Sequence, residues 1–262
     1  MSNAHSHKPR IGLLLGDPCG IGPEVLLKML TDSTNQDKAH IIIIGDQKVW
    51  ERATVEVGVN LPIEAVGELS SDWHSDTEGI LFLQSNQIEP SAYQQGRPLA
   101  EAGQYVLDSS RIALELVQAG QLDGVCFAPF NKQAMHLAGS PFEDDLRYFA
   151  HVLEVDEYVG ELNVIGDLWS ARVTSHVSLK EVADLITEDS IEAAVSLVDR
   201  SLRRAGLAEP RIGVAALNPH AGEGGLFGRE EIETIQPVVN RLSASMNVTG
   251  PYPSDTIFLK AQ

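Results

Sequence analysis

Cysteine is scarce in this chain. Cys19 and Cys126 are the only two among 262 residues, and they stand far apart without CxxC spacing. That excludes a disulfide framework and a zinc knuckle, and both thiols are read as small buried apolar side chains. Positive charge is short as well, with 19 Lys plus Arg against 37 Asp plus Glu and a formal net charge of −18. A general phosphate-backbone binder needs clustered cations, and an anionic membrane surface repels an acidic protein, so neither nucleic acid nor membrane is expected as a partner. No apolar run approaches the roughly 18 residues that cross a bilayer. The opening MSNAHSHKPR lacks the apolar centre of a signal peptide, and the expected location is cytoplasmic. The dinucleotide fingerprint GxGxxG is absent too.

What is present is a regular alternation. Ile11 to Leu15 reads as a buried strand, Pro23 to Leu30 as a helix and His40 to Gly45 (HIIIIG) as a second buried strand, the βαβ order of a parallel sheet. Ile80 to Gln84 and Gly124 to Ala128 read as further strands, with a long helix over Ala100 to Ala119 between them. Short helices are expected over Gln133 to Leu137 and Asp144 to Leu153, then β-rich runs at Leu162 to Ile165 and Ala171 to Thr174. Asp189 to Ala205 has helical period, Arg211 to Ala216 is a strand, Arg229 to about Leu242 a helix, and Val248 to Leu259 a turn-rich close. No internal repeat or low-complexity tract is visible. The expected fold is α/β with two lobes, residues 1–130 and 131–262, the chain passing between them near 129–140.

Four places carry chemistry. Gly16-Asp17-Pro18-Cys19-Gly20-Ile21-Gly22-Pro23-Glu24 lies between strand and helix, where a helix start can hold an anion; it also reads as a plain glycine-rich turn. Asp17 there disfavours a pyrophosphate unless a cation intervenes. Ala128-Pro129-Phe130-Asn131-Lys132 ends a strand of a parallel sheet, the position where ligands gather; Lys132 is either pointed at an anionic substrate or a solvated first-turn lysine. His176, in TSHVSL, and His220, in LNPHAGE, each follow an apolar strand, which suits a metal ligand or a hydrogen-bonded structural histidine. Two histidines do not complete a zinc site, so a third ligand comes from elsewhere. His5, His7, His40, His74, His136 and His151 have no such setting and are assigned to core edges or surface. Asp255 follows two prolines and suits a helix cap or a functional acid.

Taken together and in this order, GDPCGIGPE, APFNKQAMHLAG, TSHVSL, LNPHAGEGGLFGREE and GPYPSDTIF resemble the PdxA family, the 4-hydroxythreonine-4-phosphate dehydrogenases. The resemblance spans residues 11 to 259. It implies a two-domain α/β fold similar to isocitrate and isopropylmalate dehydrogenases, with a cleft between lobes, and a homodimer whose active site lies at the subunit interface. It implies NAD as hydride acceptor, a divalent metal (Zn, Mg, Mn or Co), and His176 and His220 as two of three histidine ligands. Lys132 and Asp255 are implied to line the site of a small anionic substrate as its catalytic residues, together with Asp17, Asn131, Asp145 and Arg147 as substrate contacts.

Two departures qualify that inheritance. Where the family's phosphorylated-substrate enzymes read PF-x-GHTE, this chain reads Pro141-Phe142-Glu143-Asp144-Asp145-Leu146-Arg147. Asp145 and Leu146 replace the His-Thr pair, three adjacent carboxylates repel a phosphate, and Arg147 is the only nearby compensation. A free sugar acid, or a cis-dihydrodiol carboxylate of the terephthalate type, is the alternative substrate. Family members also run on past the equivalent of Gln262 with a YHDQG-like segment that carries the third histidine and with segments that contact NAD and complete the first lobe. The expectation is that a chain ending at Gln262 is an inactive and poorly stable fragment.

Overall fold

The computed structural model describes residues 8–70, 72–73, 79–85, 87–89 and 94–260; His5, His7 and His74 lie outside them. Packing divides the chain into two compact units, Met1–Val155 and Asp156–Gln262.

The first unit is built on an all-parallel five-stranded sheet in the order β3-β4-β2-β1-β5. Its strands are β1 (Arg10–Leu14), β2 (His40–Gly45), β3 (Ile63–Val66), β4 (Ile80–Gln84) and β5 (Gly124–Phe127). Four consecutive isoleucines of β2 are buried because side chains alternate across a sheet covered on both sides. Ile41 and Ile43 join Leu13, Leu27, Trp50 and Phe82 on one face, while Ile42 and Ile44 join Leu14, Leu81, Leu83 and Ala113 on the other. Each such side chain contributes about 1.5–3 kcal/mol by leaving water.

The helices of this unit are α1 (Gly22–Leu30), α2 (Ser33–Gln36), α3 (Gln47–Val57), α4 (Ala100–Gln118), α5 (Lys132–Leu137) and α6 (Asp145–Val152). Helix α3 and strand β3 fall where no element is anticipated from the sequence. Helix α3 is held by Asp46, whose carboxylate caps the Lys48 N–H, and by Val49, Trp50 and Ala53 turned into the core. Lys132 to Val155 cluster with the first unit, so packing divides the chain beyond the 129–140 crossing expected from sequence. Helix α5 lies so close to α4 that a Cβ on Gly103 would sit 2.0 Å from the Ala134 carbonyl oxygen, and Tyr148 of α6 donates to the Leu107 carbonyl at 2.8 Å. Cys19 is buried as expected, but Cys126 is exposed, because β5 is the sheet's edge strand.

The second unit holds an antiparallel pair, β6 (Leu162–Ile165) with β7 (Leu168–Ala171), and a parallel pair, β8 (Ile212–Ala215) with β9 (Val248–Tyr252). Strand β7 lies earlier than the Ala171–Thr174 run expected. Gly166-Asp167 is a two-residue hairpin loop, with Gly166 at φ +59°, and it brings the chain straight back onto β6. Helices α7 (Val182–Leu185), α8 (Glu188–Arg204), α9 (Gln236–Leu242) and α10 (Ile257–Lys260) complete the unit. Thr187 and Ser190 form a reciprocal cap at the start of α8. The helix expected from Arg229 to about Leu242 forms, but its first part, Glu231–Ile235, is wound as a π-helical turn that runs straight into α9; Pro237 has no N–H to continue the ordinary ladder at that junction. Ile191, Val195, Ile212, Val238, Val239 and Val248 form its core. No helix among the described residues is long and apolar enough to cross a membrane.

Gly103→Ala tests the α4–α5 approach. The added methyl must push α5 outward, and the expected result is a loss of about 1–3 kcal/mol in urea unfolding; an unchanged midpoint would show that the helices separate freely.

Candidate active site

Strands β1 and β5 are parallel neighbours in register, Leu14 opposite Phe127, so the loops that follow them leave the same edge of the sheet. The first loop, Leu15 to Ile21, carries Asp17; the second, Ala128 to Asn131, leads into α5. They are stitched together by the Asp17 N–H, which donates to the Pro129 carbonyl at 3.0 Å. The Asp17 side chain is only 4% exposed. It accepts the Cys19 N–H at 2.8 Å, and the nearby Asn131 side chain also favours its charged form. Asn131 in turn caps α5 by accepting the Ala134 N–H at 3.1 Å, which sets Lys132 as the exposed first residue of that helix. Arg52, from α3, donates to the Pro18 carbonyl and places its charge near Asp17. Burial nevertheless outweighs these bonds and holds the Asp17 carboxyl above its ordinary value.

Asp145 and Arg147 lie in the first turn of α6. Asp144 is the N-cap of that helix and accepts the Arg147 N–H at 2.8 Å, leaving the Arg147 side chain exposed and Asp145 half-buried. Phe149 of α6 packs edge-on to Phe127 at 5.5 Å, and Phe127 stacks on Phe130 at 4.6 Å. The β5–α5 loop and α6 are thereby tied into one assembly. Asp46 and Arg52 are two further polar residues near the β1 loop side of the sheet that no motif in the sequence singles out. Asp46 is buried at the end of β2, where one oxygen accepts the Ile88 N–H at 2.9 Å. The sequence signal for Asp46 was its place directly after a buried strand.

In the second unit His176 and His220 are both exposed, but they do not follow equivalent strands. His176 sits in irregular chain after the β6–β7 hairpin, at φ +56°, whereas His220 follows β8 of the separate parallel pair. The hairpin is closed by a local turn and has no counterpart in β8–β9, which is why a shared sheet rim does not form. His220 Nδ1 lies 3.3 Å from Glu223 Oε1, and its N–H donates to Asn218 Oδ1 at 3.0 Å. Asp255 is exposed in the turn before α10.

The family model for the pyridoxal phosphate biosynthetic protein PdxA matches residues 37–262. The chain belongs to the PdxA family. A PdxA relative from Rhizobium meliloti, provisionally named 4-hydroxythreonine-4-phosphate dehydrogenase 2, is 42% identical over 97% of this chain and 73% of its own length. The D-threonate 4-phosphate dehydrogenase of Salmonella typhimurium is 31% identical over 96% of this chain and 76% of its own. The crystal structure of a PdxA enzyme from Klebsiella pneumoniae, titled 4-hydroxythreonine-4-phosphate dehydrogenase, superposes with a TM-score of 0.85 at 31% identity, covering 96% of this chain and 77% of that one. These solved PdxA structures have the isocitrate dehydrogenase-like fold, and this chain shares it.

For a divalent metal, solvent-facing imidazoles are the right donor chemistry, and a catalytic site uses three protein donors. Among the described residues no group of three His, Cys, Asp or Glu is placed to hold an ion.

Asp17→Asn separates burial from function. The carboxyl pKa is raised on folding, so ionised Asp17 costs stability that grows as pH rises through the unfolded value of about 3.9 and is complete above the folded value. The Asn variant is expected to melt higher than the parent at pH 7, the gap closing as the pH falls below about 4. A melting temperature lowered equally at every pH would overturn this.

Proposed function

We propose that this chain is a cytoplasmic NAD- and divalent-metal-dependent dehydrogenase, working as a homodimer, that oxidises a phosphorylated β-hydroxy acid of the 4-hydroxythreonine or threonate 4-phosphate kind and then decarboxylates it. Membership of the PdxA family, joined to a buried Asp17 and an exposed Lys132 at the carboxyl ends of adjacent parallel strands, carries the reading. His176 and His220 would hold the metal with a third donor from outside the described residues. When bound, that ion supplies Lewis acidity at an alcohol oxygen, and the nicotinamide supplies the hydride acceptor.

The chain's own residues do the rest. Lys132 offers a cation to the substrate's anionic end, and its position is set by Asn131 through the cap of α5. The Asp17 N–H fixes the same loop at the Pro129 carbonyl. The hydroxyl proton leaves to a base as the C–H bond breaks; Asp255 is the base where Lys132 serves as the cation, and Lys132 takes that role only as the neutral amine. Arg147 offers a second cation beside α6.

A second reading, a free sugar acid or dihydrodiol carboxylate as substrate, is favoured by the start of α6. Asp144 already takes the Arg147 N–H, and Asp145 adds a second negative charge where a phosphate would sit.

NADH formation from 4-phosphohydroxy-threonine and from threonate or erythronate 4-phosphate, with and without EDTA, tests the first reading. Turnover that EDTA abolishes and that His176→Ala and His220→Ala both lose is expected. Metal-independent turnover would sink the mechanism, and silence with every phosphorylated substrate would sink the substrate class. Replacing Asp145 with His and Leu146 with Thr decides between the readings: activity on a phosphorylated substrate should rise if the acidic α6 start excludes phosphate, and no gain would remove the second reading.

A further inference from the structure

Glu231 opens the π-helical turn of the second unit and is only 5% exposed. Its Oε1 accepts the Leu217 N–H at 2.9 Å, while its Oε2 is buried with no hydrogen-bond partner among the described residues. Burying a carboxylate with one oxygen unsatisfied is costly, and an apolar side chain would fill the same space without that cost.

The surroundings explain what the carboxylate touches. A Cβ built on Gly222 would lie 3.2 Å from Glu231 Oε2 and 2.6 Å from the Gly228 carbonyl oxygen, so the backbone at 222 is pressed against this side chain. Gly222 itself has φ +68° and belongs to a run in the left-handed region: Ala221 at +49°, Glu223 at +45°, Gly224 at +68° and Gly225 at +97°. Ala221 and Glu223 carry a Cβ there, a strain that persists only where neighbouring groups over-determine it. His220 stands at the head of this run. Asn218 braces it from within the loop, through the His220 N–H. Glu231 braces it from the following helical turn, fourteen residues beyond Leu217.

We propose that Glu231 is the positioning residue of the His220 loop, clamping Leu217 and Gly222 so that the left-handed run holds and His220 is presented. Its bearing on the reaction rests on the reading of His220 as a metal donor; the clamp itself does not. Outer groups of this kind are worth about 10- to 100-fold in metal affinity when removed.

The test uses the full chain with Glu231→Ala, Glu231→Gln and Gly222→Ala, read by hydrogen–deuterium exchange and by zinc titration calorimetry. In Glu231→Ala, amide exchange across 217–227 is expected to rise about tenfold or more while α8, β8 and β9 keep their protection, and zinc affinity to fall about tenfold or more. Glu231→Gln keeps an acceptor for the Leu217 N–H and should restore most of the protection. Gly222→Ala, whose methyl would meet the Gly228 carbonyl and crowd Glu231 Oε2 at a positive φ, should loosen the same 217–227 segment. Unchanged loop exchange in Glu231→Ala, exchange raised evenly over the whole unit, or a glutamine variant as labile as the alanine one would each overturn the assignment. Should Glu231→Ala fail to fold, the glutamine and Gly222 variants decide. A parent protein that binds no zinc would remove the metal reading alone, since the exchange arm still judges the clamp.

Discussion

A carboxylate buried at the mouth of a parallel sheet must be held by something, and at Asp17 the holding groups are the site itself. The Cys19 N–H, the Asn131 side chain and the nearby Arg52 charge together offset part of the desolvation, yet the carboxyl stays above its ordinary pKa. The consequence is mechanical as well as electrostatic. With the Asp17 N–H bonded to the Pro129 carbonyl, and Asn131 bonded to the start of α5, the two strand-end loops are tied together. Lys132 therefore inherits its place from a chain of hydrogen bonds that begins in the β1–β5 register.

The second unit meets a comparable demand by a different route. There the exposed group is His220, and the backbone beneath it is strained, not desolvated. Five successive residues at positive φ leave only isolated backbone bonds in the turn, such as Glu223 N–H to His220 O and Phe227 N–H to Gly222 O, and the side chains of Asn218 and Glu231 add to them. Both units thus spend stability on holding a polar side chain in a defined place. That is the pattern expected where local rules are broken for chemistry.

Much of this was legible in the amino-acid sequence. HIIIIG announced a strand covered on both faces, Pro23 announced the first turn of α1, and the order of motifs announced the family. The illegible parts have physical causes. Cys126 was expected inside, but edge position is a property of strand order, which no local pattern carries. His176 was placed on a strand rim because Val173 and Thr174 look like strand, whereas the Gly166-Asp167 turn had already used Leu168–Ala171 to close the hairpin. Glu230 and Glu231 are indistinguishable in sequence, yet one is half-buried at the helix start and the other sealed against Gly222. Glu143, Asp144 and Asp145 looked like three equal repulsive charges, and the fold gives them unequal work: Asp144 is consumed as a helix cap.

The pairing of charges sharpens how so acidic a chain can attract an anion. Most of its arginines are neutralised locally: Arg10 by Asp123, Arg52 by Glu56, Arg111 by Glu115, Arg172 by Glu161, Arg200 by Glu157, Arg203 by Asp199, Arg229 by Glu233, and Arg241 by Glu188 and Glu192. Lys132 and Arg147, in contrast, form no ion pair with any described residue, and both are exposed at the carboxyl end of the first unit's sheet. Beyond about 8–10 Å in physiological salt the net charge of −18 is largely screened. An approaching anion therefore responds to the charges within that radius, and unpaired cations there outweigh paired ones, whose partners cancel them. Lys132, left unpaired in a chain with carboxylates to spare, puts a local positive charge at the β5–α5 loop, whereas Arg147 shares its helical turn with the carboxylates of Asp144 and Asp145.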